Sequence, residues 1–145
     1  MDCLIHIVGV AESEGRDTTE MECRGSFRMT ESGNDTEYRF DYRNVESDNP
    51  DDVSDNRVVI TGEKAVITRR GSVNSEMIVV PAESHPCLYE TGFGALSFEI
   101  AGKEVTVVLE ENRVTAGMVY DIVAGGNVVS SNTIRLIAEW GDKTE

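Results

Sequence analysis

Residues 57–81 read Arg57-Val-Val-Ile-Thr-Gly-Glu-Lys-Ala-Val-Ile-Thr-Arg-Arg-Gly-Ser-Val-Asn-Ser-Glu-Met-Ile-Val-Val-Pro, and residues 87–100 resume with Cys87-Leu-Tyr-Glu-Thr-Gly-Phe-Gly-Ala-Leu-Ser-Phe-Glu-Ile. Short β-branched runs are cut at close, regular intervals by Gly-containing breaks, which is the pattern of an antiparallel meander. Gly62-Glu63 is short enough for a tight hairpin, and Arg70-Gly71-Ser72 suits a slightly longer one. A sheet of consecutive hairpins has two open edges, and a chain of 145 residues is long enough to remove them by curling into a barrel.

The flanking sequence continues the pattern in both directions. Upstream, Tyr38, Phe40 and Tyr42 alternate with Arg39, Asp41 and Arg43, so the aromatic face must point inward. Met21, Cys23, Gly25, Phe27 and Met29 alternate with Glu22, Arg24, Ser26 and Arg28 in the same way, with Gly25 marking a bend or bulge. Residues 3–10 read as a first strand, apolar on both faces, followed by a polar break over 11–17. Residues 46–56 are the longest polar stretch and read as an acidic loop. Downstream, Ala101-Gly102 reads as a turn and Gly125-Gly126 as a two-residue primed turn. The last strand brings Ile134, Leu136, Ala138 and Trp140 onto one face. No stretch sustains a 3.6-residue period, so the expectation is an all-β, single-domain antiparallel meander of roughly eight to ten strands closed into a barrel.

Bulk properties narrow the function classes. A net charge of −14 gives no basic footprint for nucleic acid or for an anionic membrane surface. No apolar run approaches the roughly 20 residues needed to span a bilayer, and the amino terminus does not look like a secretory signal. Cys3, Cys23 and Cys87 are an odd count at unrelated spacings, which reads as free thiols in a reducing cytoplasm.

Arg69 or Arg70, Gly71, Ser75 with Met77, and then Tyr89, Thr91 and Gly94 follow one another in an order that resembles the YwiB-like family of small bacterial proteins. The hairpin from Tyr120-Asp121-Ile122 through Gly125-Gly126-Asn127 to Ser130, Asn132 and Arg135 is similar to that family's carboxy-terminal hairpin, and the resemblance extends from Glu22 onward. Gly92 stands where the family usually has proline. The resemblance implies a calycin-like, lipocalin-like barrel; it brings no established activity, substrate or catalytic residue.

A barrel of this size is either filled by its own side chains or holds one small ligand. If polar groups converge inside or at a mouth, the contributors are Arg69, Glu76, Tyr89, Tyr120 and Asn132, beside the aromatic face of Tyr38, Phe40 and Tyr42. Arg69 and Glu76 flank one hairpin and invite a cross-strand pair. His85-Pro86-Cys87 places an imidazole beside a thiol, but reads as a solvent-facing His and a core Cys. With only His6 and His85 present, a multi-histidine metal site has no ligands. Asp48, Asp51, Asp52 and Asp55 lack the glycine and the bidentate glutamate of a calcium loop and read as a solvated run. The expectation is therefore a non-catalytic protein without cofactor or metal. It receives a small, partly apolar molecule in the barrel or at its mouth, or else is a filled barrel serving as a protein-interaction or scaffold module.

Overall fold

A computed structural model describes residues 1–45 and 53–141. The elements are β1 (Asp2–Glu12), β2 (Arg16–Ser32), β3 (Asp35–Val45), β4 (Val53–Thr61), β5 (Lys64–Gly71), β6 (Asn74–Val79), β7 (Ser84–Thr91), β8 (Gly94–Leu109), β9 (Arg113–Ala124) and β10 (Asn127–Glu139). Each strand pairs antiparallel with its sequence neighbours, and β10 closes onto β1 through pairs running from Leu4–Glu139 to Glu12–Ser131. Among the described residues the result is a closed up-and-down barrel of ten strands, the arrangement that removes the two open edges of a meander. No helix among the described residues is long and apolar enough to cross a membrane.

Alternation sets the inside and outside. In β4, Ser54, Asn56, Val58 and Ile60 are buried while Asp55 and Arg57 are exposed; in β9, Val114, Ala116, Met118 and Tyr120 are buried in the same rhythm. The Gly125-Gly126 turn has φ values of 61° and 81°, the left-handed pair that a primed hairpin turn requires and that glycine adopts without a Cβ clash.

Three sequence expectations are corrected. The polar break after β1 is confined to 13–15, because Ala11, Glu12, Arg16 and Asp17 continue the β1–β2 ladder. Residues 53–56, expected as part of the acidic loop, form the start of β4: Asp55 pairs with Arg43 across the β3–β4 ladder and their side chains meet at 2.7 Å. The rest of that loop lies outside the described residues. Ala101-Gly102 is not a turn but lies inside β8, where the register against β9 shifts between Gly102 and Glu104. The glycine is needed for close approach: a Cβ on Gly102 would stand 2.2 Å from the carbonyl oxygen of Val80. Its N–H donates to Glu83 O and its carbonyl accepts from Ala82, pinning the β6–β7 connection against the kinked strand.

One end of the barrel is filled. Phe27 lies against Phe40 at 5.1 Å, and Trp140 stacks on Phe27 at 5.3 Å with the planes 12° apart. Ile5, Phe40, Ile60, Val79, Val114 and Ala138 are wholly excluded from solvent. Two hydrogen bonds draw the termini over this end, Phe27 N–H to Met1 O and Trp140 N–H to Asn112 O. Each large apolar side chain buried here contributes about 1.5–3 kcal/mol.

Candidate functional site

The other half of the barrel is hollow. A cavity of about 430 Å³ opens beneath the β1–β2, β5–β6, β7–β8 and β9–β10 turns, and its floor is formed by Val58, Met118 and Leu136. The two halves use the same inward positions of the same strands. Phe40 seals the closed half, and Tyr42, two residues on, lines the hollow one.

The wall has two characters. Tyr42 pairs with Asn56, Asn56 with Arg69, Arg69 with Ser75, and Ser75 with Tyr89, so one continuous cross-strand row runs over β3, β4, β5, β6 and β7. All five residues of that row line the cavity. Across from it, Ile7, Met21, Phe98, Ile122 and Ile134 present an apolar surface, into which Tyr120 and Asn132 enter as neighbours on β9 and β10.

Arg69, Tyr89, Tyr120, Asn132 and Tyr42 thus share one cavity. Glu76 does not join them. The β5–β6 register sets Glu76 opposite Thr68 and Arg69 opposite Ser75, so the expected Arg69–Glu76 pair is absent and Glu76 is exposed on the outer face. Tyr38 and Phe40 also lie elsewhere, packed on Phe27 at 6.4 and 5.1 Å in the closed half. Asn56 went unnoticed because the acids around it disguised β4 as loop; extending the Val58–Ile60 alternation two residues upstream would have found it. Asp17 and Thr19 were assigned to no site, yet both line the cavity near the β1–β2 turn.

Tyr120 is a deeply buried polar side chain of the cavity wall. It is 7% exposed. Burial, reinforced by nearby Cys87, pushes its pKa up to about 12, so it is a neutral phenol able to donate a hydrogen bond at every physiological pH. The sign of the linkage follows. A phenol whose pKa rises from 10.0 to about 12 on folding stabilises the protein fully below pH 10, and that stability is lost as pH climbs from 10 to 12. Denaturation midpoints are therefore expected to fall across this window in the wild type and to fall distinctly less in Tyr120→Phe.

Cys87 is buried at the cavity wall, and burial pushes its thiol up, with the Glu76 carboxylate adding in the same direction. It is a thiol rather than a thiolate at neutral pH, which makes it a poor nucleophile. His85, two residues away, places Nε2 at 2.8 Å from Glu83 Oε1. Cys3 and Cys23 are likewise raised by burial. Among the described residues no three His, Cys, Asp or Glu side chains converge on a common point.

Among the described residues, fold and cavity together define a closed β-barrel with one filled and one hollow half. The chain matches the family model described as "Domain of unknown function (DUF1934)" over residues 5–136 and belongs to that family. The crystal structure of ywiB protein from Bacillus subtilis is similar, with a TM-score of 0.82 at 18% identity, covering 97% of this chain and 92% of that one. At that identity the likeness concerns the fold. A search of curated proteins found no match.

Proposed function

We propose that this protein is a non-catalytic binder of a small, partly apolar molecule, received in the open half of the barrel. The observation that carries this reading is the cavity itself. Its volume of about 430 Å³ falls within the range of small-molecule sites, and its wall combines an apolar surface with a few convergent polar groups. A filled barrel has no use for such a space, and leaving it open forgoes the packing that the closed half obtains. The chemistry of the wall supports binding rather than turnover, since its thiol and its deepest phenol are both held in their neutral forms.

In this reading the protein works in the cytoplasm, where three free thiols persist. It binds neither nucleic acid nor membrane, from which its charge of −14 repels it. A protein-interaction role has one observation in its favour: Phe93 is fully exposed at the tip of the β7–β8 hairpin, with Leu96 exposed beside it.

The neutral dye N-phenyl-1-naphthylamine separates the two. A binder is expected to enhance and blue-shift its emission saturably at one dye per chain, unchanged in Phe93→Ser. Enhancement that is absent, or that vanishes with Phe93→Ser, would defeat the cavity reading and favour the exposed hairpin.

A further inference from the structure

Resting on the reading of the cavity as a binding site, we propose that its ligand is a short, uncharged amphiphile whose hydrogen-bonding head lies at Ser75 and Tyr89 and whose apolar portion lies against Phe98, Ile122 and Ile134.

The head site follows from the register. Ser75 and Tyr89 are direct cross-strand partners on β6 and β7, and both line the cavity, half-buried. Each brings a hydroxyl, which donates and accepts hydrogen bonds alike. The pair therefore complements an alcohol or an amide, groups that themselves do both. The Tyr89 ring lies 6.2 Å from that of Phe98, centroid to centroid. The head site thus runs directly into the apolar wall that Ile122 and Ile134 continue.

The charges of the wall call for no counter-ion. Arg69, the only cation among the described lining residues, already has an interaction within this chain. An anionic guest would have to share it, and the net charge of −14 opposes such a guest from outside. Asp17, the only carboxylate among those residues, is exposed, so a cation drawn to it stays in water rather than on the apolar wall. The floor at Val58, Met118 and Leu136 is uncharged, and a charged head buried against it without a partner is costly. An uncharged head escapes each of these penalties.

The volume sets the length. At roughly 30 Å³ for each water-sized group, a space of about 430 Å³ takes about fourteen non-hydrogen atoms. A primary alkanol reaches that limit at about thirteen carbons. Further methylenes project from the open half into water and gain no contact.

Displacement of N-phenyl-1-naphthylamine from the full chain, with every competitor kept in its monomeric range, tests the assignment. At neutral pH, decan-1-ol and decanamide are expected to bind at least about tenfold tighter than decanoate or decyltrimethylammonium. Along the primary alkanols from hexan-1-ol upward, affinity should rise about fourfold per methylene and level off near tridecan-1-ol. Ser75→Ala and Tyr89→Phe are each expected to weaken decan-1-ol by about threefold and to leave butylbenzene, which has no polar head, unaffected.

Decanoate binding as tightly as decan-1-ol would overturn the uncharged head in favour of an anion, and a preference for decyltrimethylammonium would overturn it in favour of a cation. Either result leaves the binding function standing. Equal weakening of decan-1-ol and butylbenzene in both variants, or of neither, would take the head away from Ser75 and Tyr89. Affinity still climbing beyond tridecan-1-ol would remove the limit on length. A dye that binds saturably but yields to none of the competitors would overturn the inference alone, whereas failure of the dye to bind would take the binding function down with it.

Discussion

Phe40→Ala is expected to destabilise the protein by about 3–5 kcal/mol, the usual cost of emptying a large aromatic site in a packed core. Phe40 is wholly buried, in contact with Phe27 and inside the packed core of the closed half. Ile67→Ala is expected to cost much less, about 1–2 kcal/mol. Ile67 also points inward, but it faces the cavity, so some of its surface already lacks contacts to lose. Urea midpoints of the two variants measure the difference. Equal losses would mean that the two ends of the barrel are packed alike, contrary to the geometry.

The second large effect is on binding. Ile134→Trp projects an indole into the hollow half and is expected to weaken a neutral guest such as decan-1-ol by about thirtyfold or more. Stability should stay within about 1 kcal/mol of the wild type, because the added ring enters existing space. Val114→Trp is the control. Val114 is fully buried in the closed half, so the same enlargement must displace its neighbours and should destabilise by about 1–3 kcal/mol or more. Tight binding retained by Ile134→Trp would show that the guest lies elsewhere. Unfolding of Ile134→Trp would show that the space is filled in solution.

Much of the fold was legible because a period of two is a direct consequence of the pleat, and strands joined by short turns have little choice but to pair in order. The alternation at Tyr38, Phe40 and Tyr42 correctly gave their inward face. It did not reveal that Phe40 closes a core and Tyr42 lines a void, because alternation reports sidedness and is blind to depth along the axis. Glu76 was misplaced for a related reason. Whether it shares a face with Arg69 depends on the parity of the β5–β6 turn, and Arg-Gly-Ser-Val-Asn is compatible with turns of different length. In the structure the turn sets Arg69 against Ser75 and sends Glu76 outward. Gly102 shows the same ambiguity in another form, since a glycine permits a turn, a bulge and a close backbone approach alike, and only the arrival of Val80 decides among them. The hollow itself has no sequence signature: Ile67, Ile122 and Ile134 are the same kind of residue as those that fill the closed end.

The measurement that bears most directly on the central claim is a set of intermolecular nuclear Overhauser effects between protein methyl groups and a saturating aliphatic guest, decanoate or decan-1-ol. A guest in the open half must give cross-peaks to Ile67, Met77, Ile122 and Ile134, which line the cavity, and none to Leu88 or Val108, which are exposed on the barrel wall. Cross-peaks confined to Leu88, Leu96 and Val108, or none at all at saturation, would contradict the claim that this barrel is built to hold a small molecule.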